Sequence, residues 1–303
     1  MYIICMAVAA PARGQTLADF LSQARSGNPR AQYNAAQCYL YGWGTEADST
    51  QWHHFLRLAA EGGEQRAAEQ LASHYERVGV RELAAFWRGE PTALPYNYTY
   101  HSYNEGCYYG EVMRGTRDGY GTYVWDNGTR HTGRWEDGES YGMGHTSFAD
   151  ADLYCYNVSG ANGPGAIILS NPSAHFAGVE GSCRYVGYLE NGLPNGQGVL
   201  YSSEGEVLYA GPFADGRPVG TTTPAHGYGG YRWVTEQLSS GDTWEGESFG
   251  GVRNGFGIYR WADGSWWCGF WSEGLREGAG LYVRADGAIM TGRWDHGELT
   301  DEN

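Results

Sequence analysis

Lysine is absent from this 303-residue chain, so its 20 basic side chains are all arginine, and they face 35 acids for a formal net charge of −15 at pH 7. Without lysine there is no glycine loop ending in the Lys that cradles a nucleotide phosphate. The shortage of positive charge also disfavours nucleic acid and anionic lipid, which are held by clustered Lys and Arg. Long hydrophobic runs are missing too, and no stretch approaches the ~18 apolar residues that span a bilayer. Cysteine is sparse. The six residues Cys5, Cys38, Cys107, Cys155, Cys183 and Cys268 contain no C-x-x-C pair and no zinc-like His/Cys spacing. Cys107, Cys155 and Cys183 could include one disulfide in an oxidising compartment, or all remain buried thiols. With only ten prolines, the 48 glycines cannot be collagen.

What the chain has in abundance is therefore glycine, together with aromatics at 15%. Only eight glycines precede residue 101, while 40 follow it. The same boundary divides the charge, at −1 before and −14 after. Two different halves are expected, meeting near residue 95.

Residues 1–14 form an apolar run closing on Ala12-Arg13-Gly14, which resembles a signal-peptide cleavage site but is short and lacks a basic start. We expect export to a periplasm or cell envelope, with a cytoplasmic protein as the alternative. Residues 16–92 carry helical spacing. Leu17, Phe20, Leu21 and Ala24 make one stripe, a second helix runs over Ala31 to Tyr41, and a third carries Trp52, Phe55, Leu56 and Ala59. An offset of 36 residues relates Gly27 to Gly63, Ala31 to Ala67, Ala35 to Leu71 and Tyr39 to Tyr75. This stretch resembles the SEL-one-like repeats of the tetratricopeptide type, which implies stacked helix pairs that scaffold protein contacts.

Beyond a linker at 93–104 the period changes. Aligning the glycine of aromatic-x-Gly strings gives Gly110 and Gly133, then Gly187 and Gly211, then Gly246, Gly269 and Gly292, in steps of 23 or 24. Each unit reads as two short strands. Turns are expected at Asn127-Gly128, Asp263-Gly264 and Asp286-Gly287, because such dipeptides tolerate positive φ. Alternation places rings on the glycine face, where a ring can lie flat because no Cβ intrudes. It places Glu111, Arg134, Glu136, Glu190, Glu245, Glu247, Arg293 and Asp295 on an opposite face expected to be solvated.

These units resemble the membrane occupation and recognition nexus (MORN) repeats. Seven units, some incomplete, cover 105–144, 185–220 and 243–300, with insertions at 145–184 and 221–242 that are read as loops or degenerate hairpins. The expected fold is an α+β repeat protein, a short α-solenoid followed by an elongated single-layer antiparallel hairpin array. The resemblance implies a binding scaffold, often of dimers or multiprotein assemblies.

Strings that suggest chemistry have simpler explanations. Gly246-Glu247-Ser248-Phe249-Gly250 matches a nucleophile elbow, yet that motif needs a helix after its strand, and a strand is expected here. His53-His54 point about 100° apart on a helix and are read as a solvated surface. His131 and His296 fall inside repeat units and are read as structural. Asn97-Tyr98-Thr99, Asn127-Gly128-Thr129 and Asn157-Val158-Ser159 match the glycosylation sequon, which is common by chance. The chain is expected to be a non-enzymatic protein-interaction scaffold without cofactor or metal. Its candidate partner-binding rings are Trp125, Trp135, Trp261, Trp267, Trp271 and Trp294. The alternatives are carbohydrate or cell-envelope binding through flat rings, and membrane recruitment, which the acidity disfavours.

Overall fold

The computed structural model describes residues 15–90, 94–158, 162–170, 181–219 and 230–302; the leader, much of both insertions and Cys5 fall outside them. The chain divides into two compact units. The first contains the helices and two short loops, Asn104–Gly106 and Trp125–Asn127; the second contains the rest of the glycine-rich chain.

In the first unit, helices α1 (Leu17–Ala24), α2 (Pro29–Tyr41), α3 (Ser49–Glu61), α4 (Gln65–Arg77) and α5 (Arg81–Trp87) follow in succession. Their ends obey local chemistry. Thr16 and Asp19 form a capping box, Asn28 caps α2 ahead of Pro29, Asp48 accepts from the N–H groups of Thr50 and Gln51, and Gly42 closes α2 in the left-handed region. The 36-residue offset is geometric. Gly27 and Gly63 both have positive φ, and Ala31, Ala67, Ala35 and Leu71 are all buried where the helices cross.

The second unit is antiparallel throughout, two meanders in which each strand pairs with the next. The 11-stranded sheet comprises β1 (Thr99–Tyr103), β2 (Gly106–Met113), β3 (Thr116–Trp125), β4 (Arg130–Glu136), β5 (Glu139–Ser147), β6 (Ala151–Val158), β7 (Gly163–Leu169), β8 (Cys183–Glu190), β9 (Leu193–Tyr201), β10 (Val207–Ala214) and β11 (Arg217–Pro218). The 7-stranded sheet comprises β12 (Tyr231–Gln237), β13 (Thr243–Phe249), β14 (Val252–Arg260), β15 (Trp266–Ser272), β16 (Leu275–Val283), β17 (Ile289–Asp295) and β18 (Glu298–Glu302).

Glycine sets the register. Gly246, Gly257, Gly269, Gly280 and Gly292 pair across successive strands as one stripe free of Cβ atoms. On that stripe lie rings that begin each unit. A Cβ built on Gly257 would fall inside the Trp244 indole, one on Gly280 would strike Trp267, and those on Gly121 and Gly198 would strike Tyr108 and Tyr185. Each ring thus covers the glycine two residues on in its own strand and the glycine opposite. Trp244 and Trp267 are completely buried this way. Trp271 and Trp294 meet them edge to face, within 5.5 Å between centroids. Arg117, Arg253 and Arg276 close the rings from above by cation–π contact.

The turns expected at Asn127-Gly128, Asp263-Gly264 and Asp286-Gly287 are formed, and a second set that sequence reasoning did not name, tight two-residue turns with positive φ at both positions, sits at Arg114-Gly115, Asp137-Gly138, Asn191-Gly192, Asp215-Gly216, Gly250-Gly251, Glu273-Gly274 and His296-Gly297. Asn127-Gly128, Asp263-Gly264 and Asp286-Gly287 lie in the longer connections at the opposite strand ends, with positive φ only at glycine. Of the two readings of the interval 145–184, loops or degenerate hairpins, the described residues agree with the second, because β6 and β7 pair there and carry the register through. Cys155 stands opposite Gly144 and Gly165, and Leu153, Ile167 and Leu169 replace the rings in the core. A thiol in place of glycine and aliphatics in place of aromatics erased the sequence signal.

One expectation needs correction, since the array has two layers and not one, and the face opposite the glycines is partly an interface between them. Phe256, Ile258, Cys268 and Leu281 from one sheet and Met143, Tyr154 and Ala166 from the other are buried on that face. The sheets touch where Tyr154 meets Phe256 at 5.6 Å, where Tyr98 Oη accepts from the Ile289 N–H at 3.1 Å, and where the Trp233 N–H donates to Gly205 O at 3.0 Å. Glu247, expected in solvent, is 5% exposed. Its carboxyl accepts from the Tyr201 hydroxyl of the facing sheet at 2.5 Å and from the Phe256 N–H at 2.7 Å. The alternation argument sampled only the charged positions beside the glycines and missed the apolar ones on the neighbouring strands. The cysteines Cys38, Cys107, Cys155, Cys183 and Cys268 are all buried, and burial pushes Cys155 and Cys183 up to about 12.

Two expectations for experiment arise here. Gly257→Ala should destabilise the chain by about 1–3 kcal/mol or more, because the indole has nowhere to go; an unchanged urea midpoint would contradict the ring-over-glycine core. Burial raises the Glu247 carboxyl from 4.5 to about 7, against the hydrogen bonds from Tyr201 and Phe256. The native state then holds this proton where the unfolded state has released it. The corresponding stability is fully present below pH ~4.5 and is lost as pH rises through ~7. Glu247→Gln should flatten that part of a stability-versus-pH curve, and a curve of unchanged slope would refute the assignment.

Candidate functional site

The six tryptophans chosen from sequence divide by burial. Trp135, Trp267, Trp271 and Trp294 are covered by the chain's own side chains, and Trp135 and Trp271 donate their indole N–H to Gly121 O and Gly257 O. Those four serve the core of the sheets. Trp125 and Trp261 are half-buried.

Trp261 belongs to a ring row at the strand ends of the 7-stranded sheet. Its ring lies 4.7 Å from Tyr259 and 5.5 Å from Tyr282, both also half-buried. Tyr259 is fixed by its hydroxyl, which donates to Asp242 at 2.7 Å, and Arg253 stacks on it at 5.2 Å. Beneath the row lie the buried indoles of Trp244, Trp267, Trp271 and Trp294. The row is a rigid aromatic surface on a tryptophan floor.

A second constellation occupies the helical unit, where sequence reasoning expected only a wet helix surface. His53 and His54 of α3 share one carboxylate. His53 Nδ1 lies 2.9 Å from Asp126 Oδ1, and His54 Nδ1 lies 2.9 Å from Asp126 Oδ2. Arg57, one turn on, adds Nε to Oδ1 and Nη2 to Oδ2, both at 3.0 Å. Two imidazoles about 100° apart on a helix cannot both ligate one small ion easily, but a carboxylate has two oxygens and reaches both. Burial alone would raise the Asp126 carboxyl, but hydrogen bonds from His53, His54 and Arg57 and the Arg57 charge together hold it well below the usual range.

An ionised Asp126 can only accept, so both histidines carry hydrogen on Nδ1. On its other side the Nε2 of His53 is hydrogen-bonded with the Tyr75 hydroxyl at 2.8 Å. His54 borders a cleft of about 390 Å³, with Phe55, Asn104, Glu105, Trp125 and Asn127 around it. A larger cleft of about 560 Å³ lies among α2, α3 and α4, beside Trp52, His74 and Arg77.

One signal in the sequence pointed to Asp126. The corresponding positions of three other units carry small residues without charge, Ser203, Ala262 and Ala285. An acid in that place breaks the repeat, and such breaks mark positions with another task. Ser248 is buried in β13 and is followed by strand β14, so the strand-to-helix geometry of a nucleophile elbow is not formed there. His131 lies against Gly144 as the ring of its own unit. Glu277, Asp295 and the exposed His296 come together at a turn.

With these geometries in place, comparison adds the following. The family model of the MORN repeat matches residues 108–130, 185–207, 244–266 and 267–289. Each match begins on the ring that covers the glycine stripe, at Tyr108, Tyr185, Trp244 and Trp267. All lie in the glycine-rich part of the chain. No curated protein matches the chain. Among solved structures it is similar to the SAS-4 (dCPAP) TCP domain in complex with a Proline Rich Motif of Ana2 (dSTIL) of Drosophila melanogaster. The identity is 10% and the TM-score 0.21, over 61% of this chain and 85% of that one. A likeness so slight carries no argument.

Replacing Asp126 with Ala should cost about 3–5 kcal/mol, because Arg57 is fully buried and loses two charge-assisted hydrogen bonds. Since folding depresses the Asp126 pKa, its contribution is present above the ordinary value of 3.8 and is lost as pH falls below it. Asp126→Asn should therefore lose less stability than the wild type on acidification, as read by denaturant midpoints, and a parallel decline would overturn the assignment.

Proposed function

We propose that the chain is a non-enzymatic scaffold for protein–protein interaction, assembled from SEL-one-like helices and MORN hairpins, and exported to the cell envelope. The observation that carries the reading is the Tyr259–Trp261–Tyr282 row. Large aromatic side chains held rigid on a packed floor and flanked by Arg253 are the residue types that dominate interface energetics, since they bury much area while losing little conformational freedom. The MORN matches favour the same reading, because such repeats commonly mediate protein or membrane interactions. The −14 charge of this part favours a protein partner over an anionic bilayer. Solvent-facing acids around the row would select a partner carrying Arg or Lys at its rim.

Affinity purification with mass spectrometry on the full chain and on a Trp261→Ala/Tyr282→Ala variant tests this. Specific partners of the wild type should fall roughly tenfold or more in yield on the variant. The same partners at the same yield would refute the row as the binding surface.

A further inference from the structure

We infer that the cleft beside His54 and Trp125 in the helical unit is a binding site for a neutral saccharide. Its volume of about 390 Å³ falls at the small end of the ~300–1,000 Å³ range of ligand pockets, suited to one or two pyranose rings. Its walls combine two kinds of surface. The rings of Trp125 and Phe55 supply flat apolar area. The remaining wall is polar, with His54, the Glu105 carboxylate and the amides of Asn104 and Asn127.

The polarity of that wall selects the ligand. Asp126 takes four hydrogen bonds and fixes a hydrogen of His54 on Nδ1, which leaves Nε2 as the ring nitrogen that can meet a ligand hydroxyl. The Glu105 carboxylate accepts only. Among the described residues no arginine borders the cleft, so it lacks the fixed cation that phosphate or sulfate would need. A ligand that fits must donate several hydrogen bonds, accept from amides, and present an apolar face to an indole. A sugar ring does all three, its hydroxyls lying around the edge and its C–H groups on a face.

This inference is independent of the scaffold reading, because it rests on the other unit. The test is saturation-transfer NMR and titration calorimetry on the full chain with a panel of neutral mono- and disaccharides. Trp125→Ala, Asn104→Ala and Glu105→Gln serve as variants, with thermal melts to establish that each is folded; Asn104 and Glu105 are exposed, so their replacement leaves the core intact. The expected result is binding of at least one neutral saccharide by the wild type, weakened roughly tenfold or more in Trp125→Ala and in Glu105→Gln. Silence across the panel overturns the inference. So does saccharide binding that all three variants retain, which would place the site elsewhere, and so does binding confined to amine-bearing sugars, which would make the cleft a cation site.

Discussion

Everything in the glycine-rich part depends on one steric fact, that an aromatic ring can lie flat on a strand only where no Cβ stands up from it. Glycine is a poor strand residue by itself, with entropy to lose and nothing to pack. Here the deficit is offset by the ring that takes the vacated space. Trp244 over Gly246 and Gly257, and Trp267 over Gly269 and Gly280, bury whole indoles within a single layer. The same contact fixes register. A strand that slipped by one residue would bring a side chain under each ring and turn its own rings to the other face. Glycine is therefore required in a row, strand after strand, and a row is what the pairing shows.

Since the glycine face fills itself, the opposite face is released for other use. In the second unit it meets the other sheet. Phe256, Ile258, Cys268 and Leu281 supply apolar area there, while Tyr98, Tyr120 and Tyr201 send hydroxyls across the gap to backbone and carboxyl partners. A carboxyl in that dry interface is costly when charged, which is why Glu247 holds its proton to near neutrality. Asp126 shows the contrary case. It is as deeply buried, but four donors converge on it, and it stays charged.

Much of this could be read from the chain alone. The 23-residue step, the two faces, the glycine under the ring and the 36-residue offset of the helices all appear as patterns of residue type. The failures have a common cause. His53 and His54 looked idle because their partner lies 73 and 72 residues away, at a turn position where other units carry serine or alanine. The strands β6 and β7 could be read only as a loop or a degenerate hairpin, because Cys155, Leu153 and Ile167 satisfy the same space with different chemistry. A second set of turns went unnamed in part because Arg114, Glu273 and His296 adopt positive φ there, where composition suggests Asn or Asp.

The sequence by itself determined the hairpins, their spacing and which side of each strand takes the rings, because those follow from a repeated steric match between neighbours in the chain. Only the tertiary structure decided that the hairpins divide into two facing sheets, that four of the six selected tryptophans are core, and that a distant aspartate orders two histidines beside a cleft. Those outcomes depend on which surfaces meet across long separations in sequence, and a periodic pattern, being the same in every unit, carries no record of which unit faces which.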